Sequence, residues 1–377
     1  MEFSASETQT MLRETAERLV RNRYGFEERK KIIASEDGYS PALWREFANL
    51  GLLGVEVPED FDGSGGGFDD IAVVLEALGQ GLVVEPYLST VVLGAGLIAA
   101  AGTDAQKQDV LPRVASGELL LAPAHGEPQA RYALNRVETA AARSDGDHFV
   151  IDGRKAVVLG GDSAGLLIVS ARTSGKTDDA TGISLFLVER EAVGVSVRAY
   201  PNVDDRRAAE IALEGVRVSQ DALLGPLDGA LPLIEAAFDR GAAALCCEAV
   251  GAMGALNALT LDYLKTRNQF GRPIGKFQVL QHRMADMVMA EQQARSMLYL
   301  AIENAGEADA AARRQAISAA KVQINKSGLI VGRGAVQLHG GIAMTMEYSA
   351  GHYFRRLTAI EKMMGDTDYH LERFASA

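Results

Sequence analysis

The hydrophobic pattern of this chain predicts a mostly α-helical protein with a small β domain set into its middle. Three observations carry that expectation. Apolar residues recur at helical spacing over the first 120 residues or so. Short β-branched runs divided by turn dipeptides then fill about 121–225, and longer helical periods occupy 226–377. The segments read as an N-terminal helical domain (1–120), a middle β domain (121–225) and a C-terminal four-helix bundle (226–377). A chain of 377 residues, 47% of them hydrophobic, is long enough to bury the cores this arrangement needs.

The elements follow in order. Ser40-Pro41 is a helix-start signal for ALWREFANLGLLG, and QKQDVLPRVASGE carries a second helical period. The run 91-VVLGAGLIAAAG-102 reads as a buried helix. The cluster 62-DGSGGGFDD-70 lacks both dinucleotide-loop spacing and the Lys-Ser/Thr of a P-loop, so it reads as a turn before a helix starting near Asp69. In the middle region FVIDGRKAVVL carries a hairpin signal at Asp152-Gly153, and EIALEGVRV a turn at Glu214-Gly215. Beyond it, helices are expected from about Leu231 to Arg267, Gly275 to Asn304, through AISAAKVQINKSGLIVGRGAVQL, and from Tyr348 to Met364. The first would be about 55 Å long, more than an ordinary domain radius, which predicts packing against another subunit.

Composition removes several function classes. The net charge of −12 provides no basic field for nucleic acid or an anionic membrane. No run reaches the roughly 18 apolar residues of a membrane span, and the N-terminus mixes acids and bases at helical spacing, unlike a signal peptide. The only cysteines, Cys246 and Cys247, are neighbours in a helical pattern, which fits buried thiols in a reducing cytoplasm. The six histidines show no paired-ligand spacing and no GxSxG is present, which speaks against a metal site and against that type of hydrolase.

Three stretches carry candidate chemistry. In 264-LKTRNQFGRPIGKFQVLQHRMADM-287, Arg267 leaves a helix end where a guanidinium can fork onto phosphate oxygens, Phe270 offers a flat apolar face, and Gln278 opens the next helix. In 337-QLHGGIAMTMEYSAGHYFRR-356, Gln337 precedes Gly340-Gly341, whose bare backbone lets a ligand approach closely, although the pair also suits a helix C-cap. In 363-MMGDTDYH-370 a helical pattern stops on Gly365 and acids follow at once, which suits either proton chemistry or solvated end residues.

In this order and separation, the first two stretches resemble the acyl-CoA dehydrogenase signature, an RxxFGxxIxxFQ segment followed by QxxGGxG. The resemblance extends over essentially the whole chain, through GLLGVEVPEDFDGSGGG, HFVIDGRKAVV and RRAAEIALEGVRV. It implies that the middle domain (121–225) is a small β-barrel, with FAD as cofactor and α,β-dehydrogenation of an acyl-CoA thioester, and with electrons passed on to a further acceptor. It also implies flavin contacts at Arg267, Phe270, Gln278, Gln337, Leu338, Gly340, Gly341 and Thr367. The family's base is a Glu. The tail pattern R-D-A-x-x-x-x-I-Y-E-G-T, run from Arg356, puts Gly365 at that position, and the alternative address on the long helix falls on Gly241, followed by Ala242. The flavin wall departs as well. The Thr of Y-x-x-T-E-P is Gly126, G-x-G-S-D reads 129-QARYA-133, and W-I-T reads 157-VVL-159. This combination is similar to the small, non-catalytic subunits of heteromeric members, such as that of pimeloyl-CoA dehydrogenase. It implies a Glu-bearing partner subunit. Two other readings stand beside it: a homo-oligomer using Asp366 as base, with Asp239 next, and a flavin-free acyl-CoA-binding or scaffolding protein.

Overall fold

The computed structural model describes residues 5–376. The N-terminal third is helical: α1 (Glu7–Arg23), α2 (Phe26–Ala34), α3 (Pro41–Asn49), α4 (Phe68–Gln80), a π-helical stretch Leu88–Ala95 running into α5 (Gly96–Ala101), and α6 (Asp104–Ala115). The caps explain the starts. Ser6 and Gln9 form a capping box on α1, Thr103 and Gln106 do the same on α6, and Ser40 caps α3 with Pro41 in its first turn. The apolar run at 91–102 is helical and largely buried, as its composition predicts.

The middle region contributes β1 (Leu121–Ala124), β2 (Ala140–Ser144), β3 (His148–Leu159), β4 (Leu166–Arg172), β5 (Ile183–Glu189), β6 (Val195–Pro201), β7 (Arg207–Ser219) and β8 (Leu223–Leu224). They form one sheet in the order β6-β7-β3-β2-β4-β5-β8, with β1 parallel to β4. Among the described residues β6 and β8 do not pair, so the expected barrel is an open sheet. The hairpins expected at Asp152-Gly153 and Glu214-Gly215 do not form either. β3 and β7 run straight through both dipeptides, which face each other at a register shift between Ile151 and Gly153. The Asp152 carboxylate accepts the Gly215 amide at 2.7 Å, so a turn-type sequence serves as a bulge.

The C-terminal region holds α7 (Leu231–Thr266), a short ribbon of β9 (Asn268–Gln269) and β10 (Arg272–Pro273), then α8 (Gln278–Asn304), α9 (Ala310–His339), α10 (Ser349–Lys362) and α11 (Thr367–Ala375). The four expected long helices are present; α11 is an addition. α7 is long and apolar enough to cross a membrane, contrary to the reading that no run reaches that length. However, 78% of its apolar window is buried in protein, as in a core helix.

The chain compacts as two units. One comprises Phe68–Val84 with the described residues of Met1–Ile32 and Ala242–Ala377; the other comprises Ile33–Gly67 and Glu85–Gly241. In the first unit α4 and α7 meet backbone to backbone. A Cβ on Gly79 would lie 2.1 Å from the Glu248 carbonyl oxygen, and one on Gly251 would lie 2.0 Å from that of Glu76. Glu248 then reaches the opposite way and takes the buried Arg356 guanidinium bidentately, at 2.7 and 2.6 Å. Removing one member of such a pair leaves a charge stranded out of water. Glu248→Gln is therefore expected to cost about 3–5 kcal/mol in urea unfolding, whereas replacing both residues by apolar ones of similar volume should cost far less.

Candidate functional site

The first candidate surface forms where α7 ends. The Arg267 amide donates to the Tyr263 carbonyl at 2.9 Å, and the Arg267 carbonyl accepts from the Ile274 amide at 2.8 Å, which folds the chain back into the β9–β10 ribbon. Its tip, Phe270-Gly271, has φ of +54° and +78°, the left-handed pair that a tight two-residue turn demands. Phe270 is 90% exposed, with its ring edge-on to Phe277, over which the Arg272 guanidinium lies at 4.3 Å. Gln278 starts α8 and is exposed.

The end of α9 comes to the same end of the bundle. Its buried His339 stacks on Tyr263 of α7 at 4.5 Å and on Tyr348, which precedes α10, at 5.1 Å. Gln337, Gly340 and Gly341 are exposed beside it, and Gly340 (φ +66°) returns its amide to the Val336 carbonyl. Leu338 is buried, so its side chain belongs to the core rather than to this surface. The His339–Tyr263 contact thus sets the stretch carrying Gln337, Gly340 and Gly341 beside the end of α7 from which Arg267, Phe270 and Gln278 follow. Guanidinium, flat ring, amides and bare backbone suit an anionic ligand with an aromatic base.

The tail is built differently. Asp366 is 6% exposed and caps α11, its carboxylate accepting the Tyr369 amide at 3.0 Å with Lys362 at 3.6 Å. It is therefore not a solvated end acid, and its carboxylate is already committed. The Thr367 amide and hydroxyl both donate to Glu361 at 3.3 Å. Asp239 and Gly241 are buried and belong to the other unit. Glu248, two turns along α7 from Gly241, is neutralised by Arg356. Lys321 lies beneath the tail, buried and donating to Asn325 at 2.9 Å and to the Ile360 carbonyl at 2.7 Å. Burial pushes its ammonium down to about 8.

The middle-region surface centres on Gly126. Its carbonyl accepts from the Ala156 amide at 2.8 Å, and a Cβ placed on it would lie 3.2 Å from the Ala156 carbonyl oxygen, so a hydroxyl-bearing side chain is crowded there. Val157 is 59% exposed at φ +53°, a strained setting for a β-branched residue, at a second bulge in β3. Behind this surface Lys155 and Glu127 form a buried ion pair at 2.6 Å. Lys155 also donates to Ser170 at 3.0 Å, and Ser170 bonds His125 Nδ1 at 2.9 Å. Burial works against the Glu127 charge, but Lys155 and the amides of Glu138 and Thr139 outweigh it and hold the carboxyl at about 2. Burial and the Lys155 charge push His125 down to about 3. Sequence reading missed this chain of groups, because nothing local marks partners 28 residues apart.

Family models describe most of the chain: the acyl-CoA dehydrogenase N-terminal domain matches residues 6–118, the middle domain 122–216 and the C-terminal domain 230–377. This chain belongs to the acyl-CoA dehydrogenase family. It is 30% identical to the probable acyl-CoA dehydrogenase YngJ of Bacillus subtilis, covering 100% of this chain and 99% of YngJ. Among solved structures it is similar to a variant of the "Tcur3481-Tcur3483 steroid ACAD", with TM-score 0.87, 31% identity and coverage of 98% and 97%. It is also similar to the ChsE4-ChsE5 complex from Mycobacterium tuberculosis, with TM-score 0.88, 25% identity and coverage of 100% and 98%.

Within an acyl-CoA dehydrogenase, cap and base make opposite demands on Asp366. Asparagine caps a helix about as well as aspartate, and alanine does not. Asp366→Ala is therefore expected to lose about 0.5–2 kcal/mol in chemical unfolding while Asp366→Asn stays near wild type. A base would show itself as a loss of about 10²–10⁴ in turnover in both variants.

Proposed function

We propose that this chain is a non-catalytic subunit of a heteromeric, cytoplasmic acyl-CoA dehydrogenase, and that it completes the FAD site of a related, Glu-bearing subunit. One observation carries the reading. Arg267, Phe270, Gln278, Gln337 and Gly340-Gly341 are all exposed at the ends of α7 and α9, while the tail presents only Gly365 and an Asp366 committed to capping. The names of the two solved relatives, each joining two components, support a two-chain assembly.

FAD, when bound, supplies the hydride acceptor for α,β-dehydrogenation of an acyl-CoA thioester. The residues fit its two halves unequally. Arg267 offers a charge-assisted fork to the pyrophosphate, the Phe270 face and Gln278 suit the adenosine end, and the glycines admit close approach. The middle-region surface offers neither a hydroxyl at Gly126 nor an indole at Val157 to hold the isoalloxazine. Abstraction of the α-proton needs a positioned carboxylate in a dry site beside the thioester carbonyl, and the partner supplies it in this reading.

Expressed alone, the chain is expected to carry little flavin by absorbance and to show negligible dye-linked acyl-CoA oxidation; co-expression with the Glu-bearing partner should restore both. Stoichiometric FAD and ordinary turnover in the isolated chain would refute the subunit reading. In the assembly, Arg267→Ala removes one charge-assisted contact worth about 1.5–3 kcal/mol and should weaken flavin about 10- to 150-fold in equilibrium dialysis. Unchanged affinity would mean that the adenosine end lies elsewhere.

A further inference from the structure

We propose that the start of α11 is a plug over the base position, so that this chain's catalytic silence is built into its backbone and not only into one missing side chain. The inference rests on the alignment of Gly365 with the family Glu and deepens the subunit reading. Met364 and Gly365 have φ of +52° and +94°, two consecutive residues in the left-handed region, one of them not glycine. Such a turn persists only where its surroundings hold it.

His370 holds it. The imidazole is fully buried, and its Nε2–H donates to the Met364 carbonyl at 2.7 Å, which leaves Nδ1 to accept from the Ser318 hydroxyl at 3.2 Å. Burial and the nearby Lys321 charge push this imidazole down to about 3, so the same tautomer serves throughout the physiological range. Tyr369 packs edge-on against His370, with ring centroids 5.3 Å apart, and its amide is fixed by the Asp366 carboxylate.

These two rings fill the space a side chain at Gly365 would enter. A Cβ built there would lie 2.4 Å from Tyr369 Cδ1, 2.7 Å from His370 Nε2 and 3.0 Å from His370 Cδ2. Contacts under 3.0 Å force something to move, and the imidazole cannot move without releasing the carbonyl that shapes the turn. A glutamate at 365 would therefore start out toward α11 and break the device that positions it.

A thermal-unfolding cycle on the full-length chain tests this. Gly365→Ala is expected to lower Tm by about 5 °C or more, combining left-handed strain with the clash. His370→Ala should also lower Tm, but the double variant should fall clearly short of the sum, because two of the three contacts are then gone and Tyr369 can shift into the space of the imidazole it packs against. Gly365→Glu should unfold earlier still and, in a flavin-loaded assembly whose partner Glu is changed to Gln, gain no dye-linked turnover. Strictly additive losses, a Gly365→Ala Tm within about 1 °C of wild type, or turnover gained by Gly365→Glu alone would each overturn the plug. Turnover by the unmodified chain alone would instead sink the subunit reading, and the thermal cycle would still decide the plug.

Discussion

The bidentate grip of Glu248 on Arg356 sets the geometry of the C-terminal bundle. Two charges out of water tolerate little displacement, so α10 is fixed against α7 at one register. On its other side Glu248 belongs to the backbone stretch against which α4 packs through Gly79. From the same anchor Arg356 reaches Met363 Sδ at 3.3 Å, and Lys321 of α9 bonds the Ile360 carbonyl one turn further along. The tail that follows is therefore presented by a rigid base rather than by a loose end.

That rigidity has opposite consequences at two places. Beyond α7 it supports an exposed ribbon, with a guanidinium and a phenyl ring held at the surface and an aromatic stack of Tyr263, His339 and Tyr348 joining it to the glycine pair. In the tail it supports a closed turn, where Asp366 caps and His370 ties down a carbonyl. The first arrangement keeps polar groups available to a ligand; the second commits the polar groups nearby to satisfying the backbone. The proposed role, contact without proton abstraction, needs this division.

Local signals were legible in the sequence and long-range ones were not. Ser40-Pro41 and the first signature motif act through neighbouring residues, so the start of α3 and the break between α7 and α8 follow from the residues alone. Asp152-Gly153 and Glu214-Gly215 misled because left-handed glycines serve turns and bulges alike; what decides is a cross-strand bond from Asp152 to Gly215. Barrel closure failed for a related reason, since it depends on the terminal strands meeting, and β8 is only two residues long. The Asp366 signal was local and readable as an N-cap, but taking it as a helix end concealed α11. Glu127 with Lys155 and Glu248 with Arg356 are 28 and 108 residues apart, and no spacing rule joins them.

In the proposed assembly, proton abstraction belongs wholly to the other subunit. The most direct measurement is turnover of the purified two-chain assembly after the partner's catalytic Glu is changed to Gln, with flavin content monitored in the same sample. Activity is expected to fall by at least about 10²-fold while flavin stays bound. Substantial residual oxidation of acyl-CoA by that assembly would contradict it, because this chain would then be supplying a base of its own.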